Sequence, residues 1–210
     1  MSKMPGPSDA YALRTEAEIR KLYADWAPSY DDGFGAAQGY QLPRAVALSF
    51  LGAGGTGPVL DVGAGTGLLG EELAKVGLGP VDALDLSEEM LAVARGKSIY
   101  RTLVAGDLTA SDLDLPGAPY QGIVSSGTFT RGHAGPDGLS AILRHAAPGA
   151  LVCLGINAAH FDAEGFAQVL GALSERIEPP TFTDVRIYDD RADAAHRQDL
   201  SRITVFRLRT

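Results

Sequence analysis

The sequence predicts an α/β protein built on a mostly parallel sheet. Apolar stretches of strand length alternate with segments whose apolar residues recur at helical spacing. Five such stretches lie at residues 59–62, 81–86, 100–105, 120–125 and 151–156. Strands that are apolar throughout are typical of a parallel sheet with helices on both faces. Residues 183–188 and 203–208 alternate in polarity and predict an antiparallel pairing at one edge, which gives a seven-stranded, mostly parallel sheet with an antiparallel edge strand.

Composition limits the classes of partner. With 210 residues, of which 45% are hydrophobic and 21% charged, the chain is expected to form one globular domain. A net charge of -8 disfavours nucleic acid as a partner, because proteins that bind nucleic acid usually present a basic face. No apolar run approaches the ~18 residues of a membrane helix. Cys153, the single cysteine, lies in an apolar run, so we expect its thiol to be buried. Because one cysteine cannot form a disulfide within the chain, we expect a cytoplasmic protein. The expected oligomeric state is a monomer or homodimer.

The chain before the first strand is expected to contain two parts. Residues 1–14 are predicted to be a flexible terminus, and residues 15–56 a helical lid or entrance segment over a core at residues 57–210. Thr15 and Glu18 have the spacing of a capping box, and apolar residues follow at helical spacing. The glycine-rich stretch 31–39 is predicted to be a mobile loop, and a second helix is predicted near residues 42–51.

A glycine-rich turn follows the first strand. Residues 61–67 read Asp-Val-Gly-Ala-Gly-Thr-Gly, and a helix is predicted directly after them. Glycines let the backbone approach a ligand, and the helix N-terminus offers free N–H groups. Residues 65–70 also match the G-x-G-x-x-G pattern of dinucleotide enzymes, with Asp85 at a suitable distance. This turn alone therefore fits two classes of nucleotide-binding protein.

Two features disfavour a dinucleotide. Asp61, at the end of the strand, would repel a pyrophosphate and would suit a cationic ligand. About 57 residues precede the first strand, and their aromatic helix could cover a site, whereas a dinucleotide domain often begins near its first strand.

Several motifs resemble those of class I S-adenosylmethionine-dependent methyltransferases. The glycine turn resembles their motif I, and residues 82–91 resemble the motif that follows their second strand. Residues 23–31 resemble the Tyr-Asp-x-x-Ala-x-x-Tyr-Asp motif of many small-molecule methyltransferases. Residues 125–134 form a more particular motif, and together these motifs resemble the Williams-Beuren syndrome region methyltransferase-like group. The resemblance implies the Rossmann-like class I methyltransferase fold, with S-adenosyl-L-methionine as cofactor and S-adenosyl-L-homocysteine as product.

The resemblance also implies roles for individual residues. Asp85 would accept both ribose hydroxyls, and Asp107 after the third strand would meet the adenine amino group, with Leu108 stacked nearby. Leu86 and Met90 would flank the adenine, although Met90 is also expected as a core residue. The aromatic residues would cover the methionine end, because an aromatic face attracts a sulfonium. The other predicted cofactor-binding residues are Tyr23, Trp26, Tyr30, Asp61, Gly63, Ala64, Gly65, Gly67 and Ser126.

Methyl transfer from a sulfonium is an in-line displacement, so the protein has mainly to align two groups and exclude water. A base is needed only where the acceptor has to lose a proton. His133, after the fourth strand, is the first candidate, and His160, after the fifth, is the second; a solvated loop histidine is the alternative for each.

The acceptor is expected to be a small molecule methylated on oxygen or nitrogen. Residues 125–129 read Ser-Ser-Gly-Thr-Phe, unlike the Asn/Asp-Pro-Pro-Tyr/Phe motif of enzymes that methylate the amines of nucleic-acid bases. No cluster of residues has metal-ligand spacing, so no metal is expected. A nicotinamide-dependent oxidoreductase and a non-catalytic protein that binds a cofactor or a partner stay as alternatives, and protein methylation is a weaker one.

Overall fold

The computed structural model describes Gly6, residues 9–10 and residues 15–210. The predicted flexibility of residues 1–14 therefore falls mostly outside the described residues. Seven strands form one sheet in the order β3-β2-β1-β4-β5-β7-β6. Their bounds are β1 Val59–Val62, β2 Val81–Asp85, β3 Thr102–Ala105, β4 Tyr120–Phe129, β5 Ala146–Asn157, β6 Thr181–Arg186 and β7 Leu200–Arg207.

The sheet is mixed, as the sequence predicted. Strands β1 to β5 pair in parallel, whereas β7 pairs antiparallel to both β5 and β6. The predicted antiparallel pairing at one edge is thus confirmed. The reversed strand β7 lies one position inside, and β6 forms the edge.

Helices cover the sheet. In the described part of the chain, the α-helices from seven to eleven residues long are α1 Glu16–Trp26, α2 Leu42–Gly52, α3 Leu68–Lys75, α4 Glu88–Gly96, α5 Pro136–Ile142 and α7 Phe166–Ala172; the six-residue helix α6 Ala158–Ala163 precedes α7. One core on the sheet contains Phe50, Leu73 and Cys153, and a second contains Ile123 and Phe166. Helices therefore pack on both faces, as expected for central strands with apolar side chains on each side. None of the described helices has the length and apolar character that a membrane crossing requires.

Local capping signals form as predicted. In the capping box of α1, the Glu18 backbone N–H donates to Thr15 Oγ1 at 3.3 Å, and the Thr15 N–H donates to Glu18 Oε2 at 3.0 Å. At the start of α4, the Met90 N–H donates to Ser87 Oγ at 3.2 Å. These bonds satisfy N–H groups that have no partner within the helix.

The prediction of a glycine-rich loop at residues 31–39 is wrong for most of its length. The chain leaves α1 through a 3-10 turn, Ala27–Ser29, and continues as a π-helix, Tyr30–Ala36. Phe34 is only 5% exposed, and its ring lies 4.9 Å from that of Trp26. Because aromatic pairs at such distances add stabilisation beyond buried area, tertiary packing overrides the low helix propensity of the glycines.

The buried thiol of Cys153 agrees with the sequence prediction. The side chain lies on β5 and is fully buried, and burial raises its pKa to about 12. A thiol with such a pKa holds almost no thiolate near neutral pH, so Cys153 acts as a core residue and not as a nucleophile.

A charged cluster lies near the amino ends of the strands. Asp82 on β2 is 1% exposed and accepts hydrogen bonds from Arg101 at 2.9 and 2.6 Å and from the Tyr120 hydroxyl at 2.9 Å. These donors hold the pKa of Asp82 below its usual value despite the desolvation of its carboxyl group.

Replacing Arg101 by methionine is expected to lower the free energy of unfolding by about 2 kcal/mol, because a buried carboxylate loses its charged partner. Urea denaturation measures the change. Lys75→Met is the matched control, since Lys75 pairs with Glu72 while 66% exposed; a change within about 0.5 kcal/mol is expected there. Equal losses in the two variants would contradict a special role for the Asp82 cluster.

Candidate active site

A cavity of about 390 Å³ lies at the carboxyl ends of the strands. Its walls come from the residues at the ends of β3, β2, β1 and β4, from α1 and from residues 132–137. Ligands of open α/β sheets bind at this edge, and the volume falls within the roughly 300–1,000 Å³ of small-molecule sites.

The cavity brings together many of the predicted residues although they are far apart in sequence. The predicted residues that line it are Tyr23, Tyr30, Gly63, Gly65, Asp85, Leu86, Met90, Asp107, Leu108 and His133. Met90 is also a core residue, because it is only 1% exposed.

The carboxylate of Asp85 joins the glycine turn to the end of β2. Its Oδ2 accepts from the Gly65 backbone N–H at 2.7 Å, and its Oδ1 accepts from the Ser87 N–H at 2.8 Å. Burial raises the pKa of Asp85, and the backbone N–H groups oppose that rise because they favour the charged form. The carboxylate therefore fixes the shape of the turn while facing the cavity.

All three glycines of the turn have backbone conformations that other residues rarely adopt, and Gly67, with φ +95°, is the N-cap residue of α3. Gly63 has φ +65°, and an added Cβ would overlap the side chain of Thr128. Gly65 has φ +56°, and an added Cβ would meet no atom within 4 Å. Gly63 is thus required by the protein's own packing, whereas Gly65 borders open space where a ligand can approach the backbone.

Asp107 is held in a fixed orientation after β3. Its Oδ1 accepts from the Thr109 backbone N–H and from the Thr109 hydroxyl, each at 2.8 Å. Such a local turn keeps the carboxylate in place at the end of the cavity that is formed by residues 106–109.

The structure does not bring Trp26 to this cavity. The indole is 1% exposed and lies between Tyr30 and Phe34, with ring centroids at 5.0 and 4.9 Å. Trp26 lines a second cavity of about 50 Å³ instead. The π-helix, which the sequence did not predict, supplies the rings that enclose the indole and keep it out of the lining of the larger cavity.

Five other predicted residues also lie outside the cavity lining: Asp61, which is described below, and the four that follow here. Ser126 lies within β4, which continues to Phe129, so that Gly127 and Thr128 reach the cavity in its place. Ala64 is 7% exposed and packs in a small core with Ala83 and Leu91, and Gly67 is the N-cap residue of α3. His160, on α6, is 9% exposed and its Nε2 lies 3.0 Å from the Ala134 carbonyl oxygen, so it holds the 132–137 segment instead of facing the cavity.

Asp61 is fully buried beneath the turn. Its Oδ2 accepts from the Tyr100 hydroxyl at 2.7 Å, whereas its Oδ1 has no hydrogen-bond partner among the described residues. Burial raises the pKa of Asp61 to about 7, although the Tyr100 hydrogen bond favours the charged form. The carboxylate is not part of the cavity wall, so the structure does not support a direct contact between Asp61 and a ligand there.

His133 and Tyr23 both line the cavity, and their contact joins the segment at residues 132–137 to α1. The His133 Nε2 atom lies 3.0 Å from the Tyr23 hydroxyl, and the ring centroids are 5.5 Å apart. The His133 Nδ1 atom lies 3.2 Å from the Arg131 carbonyl oxygen. Burial lowers the pKa of His133, and His160 lowers it further. A neutral imidazole with both nitrogens bonded therefore faces the cavity.

Carboxylates are the charged side chains of the described cavity wall, so the wall is negative. Its carboxylates are Asp85, Asp107 and Asp137, and the described residues that line it include neither lysine nor arginine. The sequence analysis missed Asp137 and Thr128, because only the folded chain shows that they reach the wall. Such a wall suits a ligand that is neutral or positively charged.

Residues 59–149 match a family described as a methyltransferase domain. This segment contains the glycine turn, Asp85, Asp107 and His133. These residues therefore carry a methyltransferase domain, and the seven-stranded sheet around them agrees with the class I S-adenosylmethionine-dependent methyltransferase that the sequence predicted.

Particular relatives agree with this class. Over 174 residues the chain is 29% identical to methyltransferase-like protein 27 of Homo sapiens, covering 80% of this chain and 69% of that protein. It is 34% identical over 110 residues to the demethylmenaquinone methyltransferase of Tropheryma whipplei (strain Twist), covering 51% of this chain and 46% of that enzyme. The chain thus matches about half the length of the second relative.

A solved structure shares the fold. Magnesium protoporphyrin IX methyltransferase from Synechocystis PCC 6803, with bound S-adenosylhomocysteine, superposes with a TM-score of 0.63 and 17% sequence identity. The superposition covers 93% of this chain and 99% of that enzyme.

The raised pKa of Asp61 predicts how stability depends on pH. The folded state holds a proton on this carboxyl group up to about pH 7, whereas the usual value is 3.8. The contribution of Asp61 to the free energy of unfolding therefore falls as pH rises between these values, by on the order of 1 kcal/mol per pH unit. Asp61→Asn should remove this dependence, so urea denaturation across that range should show its stability rising relative to the wild type.

Asp82→Asn is the control, because the pKa of Asp82 is lowered below 3.8 and its contribution is constant above about pH 5. Parallel stability curves for the wild type and Asp61→Asn would contradict the buried, proton-holding carboxyl group.

Proposed function

We propose that this enzyme transfers the methyl group of S-adenosyl-L-methionine to an oxygen or nitrogen of a small-molecule acceptor. The observation that carries the proposal is the junction of Asp85 with the glycine turn at the wall of the cavity. One carboxylate both shapes the backbone that a nucleoside approaches and offers charged acceptors for its hydroxyl groups.

The order of the strands gives the cofactor a direction. Asp107 and Leu108 follow β3 and would bind the adenine, with Leu86 after β2 and Met90 of α4 beside it. Asp85 follows β2 and would accept the ribose hydroxyls. Gly63 and Gly65 follow β1, so the methionine part would extend over them toward β4.

The aromatic residues suit the charged end of the cofactor. Tyr23 and Tyr30 line the cavity beyond the glycine turn, with their ring centroids 6.3 Å apart. A sulfonium is attracted to aromatic faces, and the described wall contains no cation to repel it. Residues 15–56, which contain α1 and the π-helix, would act as the lid of this site over the core at residues 57–210.

Methyl transfer requires little of the protein beyond the alignment of the acceptor atom with the methyl group of the donor. The acceptor atom attacks the methyl carbon in line with the carbon–sulfur bond, and the bonding electrons leave with the sulfur. The sulfonium thereby becomes the neutral sulfide of S-adenosyl-L-homocysteine. Exclusion of water by the bound reactants would favour this step, because charge is dispersed in the transition state.

A small-molecule acceptor is supported by three observations. The net charge is -8, and the described cavity wall contains no basic residue, which disfavours nucleic acid. The names of two similar enzymes give demethylmenaquinone and magnesium protoporphyrin IX as acceptors. The cavity volume of about 390 Å³ lies within the range of small-molecule sites. A cytoplasmic location and a monomer or homodimer are part of the same proposal, with the single buried thiol as support for a reducing compartment.

Asp85→Asn is expected to weaken the binding of S-adenosyl-L-methionine at least tenfold, or by about 1.5 kcal/mol, because a charged hydrogen-bond acceptor for the ribose is lost. Isothermal titration calorimetry with the cofactor measures the change. Glu88→Gln is the matched control, since Glu88 begins the helix after Asp85 but is exposed and lies outside the cavity lining.

An unchanged dissociation constant in Asp85→Asn would contradict the ribose contact. NAD and NADP, titrated into the wild type, test the alternative class. Binding of either one without binding of S-adenosyl-L-methionine would overturn the proposed function. Binding of the cofactor without methyl transfer to any compound of a broad acceptor panel would favour a non-catalytic protein.

A further inference from the structure

We propose that Tyr23 and His133 form a proton relay that deprotonates the acceptor, and that the acceptor is a molecule with an uncharged hydroxyl group. The inference rests on the proposed function, because it assumes that the cavity holds the methyl donor. It starts from the contact between the two side chains, which are 110 residues apart in sequence.

The hydrogen bonds of His133 determine its tautomer. The Arg131 carbonyl oxygen can only accept, so the Nδ1 atom at 3.2 Å must carry the proton. In a neutral imidazole the Nε2 atom then has a free electron pair. The Tyr23 hydroxyl, 3.0 Å away, therefore donates its hydrogen to Nε2.

A hydroxyl oxygen that donates its hydrogen keeps two lone pairs, so the Tyr23 oxygen can also accept a proton. Tyr23 and His133 both line the cavity, together with Gly127 and Thr128 at the end of β4. The order of the sheet puts β4 next to β1, whose end carries the glycine turn. The relay thus lies on the side where the methionine part of the cofactor would end.

The proton and the electrons balance in one step. The hydroxyl oxygen of the acceptor forms a bond to the methyl carbon, and the carbon–sulfur bond breaks with its electrons on sulfur. The acceptor proton passes to the Tyr23 oxygen while the Tyr23 proton passes to Nε2 of His133. The sulfonium loses its charge and the imidazole gains one, so the net charge inside the site does not change.

The relay selects the class of acceptor. A carboxylate or a thiolate is already ionised near neutral pH and needs no base, whereas a neutral hydroxyl does. Asp107 and Asp137 in the wall would also repel an anion, and no lysine or arginine among the described lining residues would offset them. A neutral phenol-like or enol-like hydroxyl fits both conditions.

The groups around His133 keep its imidazole neutral, so that it can accept the proton during methyl transfer and release it afterwards. From α1 it faces Tyr23, whose ring contacts Tyr30; from α6 it faces His160; and Asp137 follows in its own segment. Burial lowers the pKa of His133, and the nearby His160 adds to this effect. The imidazole is therefore neutral at the pH of the cytoplasm, which is the form that the relay requires.

The experiment uses the full chain saturated with S-adenosyl-L-methionine and a panel built on one aromatic skeleton: phenols, benzoic acids and thiophenols. Mass spectrometry of S-adenosyl-L-homocysteine and methylated product gives the rates from pH 5.5 to 9. We expect the wild type to methylate phenols in preference to the other two classes. The rate should fall toward the acid end of this range, where His133 becomes protonated, with a midpoint below the usual histidine pKa of 6.5.

Tyr23→Phe and His133→Asn should each lower kcat on phenol about 100-fold, the effect of general base catalysis, while KM and the affinity for the cofactor stay within about twofold. The low-pH decrease should disappear in His133→Asn. 4-Nitrophenol, which is mostly ionised at pH 8, should lose much less than phenol in both variants. His145→Asn is the histidine control, because His145 lies in the turn after α5 and outside the cavity lining.

Three results would overturn the relay: wild-type protein that binds the cofactor but methylates no phenol, a preference for acids or thiols, or equal losses on phenol and 4-nitrophenol. Nitrogen NMR of the histidine ring gives a test without turnover, since a proton on Nε2 instead of Nδ1 in the neutral wild type would also overturn it. Failure to bind S-adenosyl-L-methionine at all would instead remove the proposed function itself.

Discussion

The hydrogen bond from the Gly65 backbone N–H to the Asp85 carboxylate is the interaction on which the site depends. It joins the turn after β1 to the end of β2, across 20 residues of sequence. It holds the left-handed backbone at Gly65 against β2, and together with the Ser87 N–H it orients the carboxylate. Burial makes the charged carboxylate costly, and the N–H groups of Gly65 and Ser87 offset part of that cost. The protein thus keeps a preformed acceptor at the centre of its cavity.

The N-terminal segment is attached to this centre from two directions. The Thr66 hydroxyl donates to Asp31 of the π-helix, and Lys97 pairs with the same carboxylate at 2.6 Å. From the other side, Arg191 donates to the Ala36 carbonyl at 2.9 Å and Gln41 donates to the Tyr188 carbonyl at 3.2 Å. The aromatic packing of Trp26 and Phe34 fills the space between these contacts. A segment held at several points restricts the position of the Tyr23 side chain relative to His133 more than an unattached lid could.

The buried carboxylates at the two ends of the strands have different roles: the one at the amino ends stabilises the fold, and the one at the carboxyl ends lies near the site. Near the amino ends of the strands, Asp82 is buried with a cationic partner, which lowers its pKa. At the carboxyl ends, Asp61 is buried without one, and its pKa is raised to about 7. The first arrangement stabilises the fold over the whole neutral range. The second costs stability as pH rises, which is common where a fold has been shaped for a ligand.

The sequence alone determined the parts that depend on local chemistry. The strand and helix order, the helix starts at Thr15 and Ser87, the glycine turn and the acidic residues after β2 and β3 are all encoded within short segments, because caps, turns and periodicity involve neighbouring residues. The tertiary structure alone decided the π-helix at Tyr30–Ala36, the enclosure of Trp26, the exclusion of His160 from the cavity and the pairing of Tyr23 with His133. These features depend on contacts between residues that are distant in sequence or on the direction in which a packed element turns, and no local pattern specifies either.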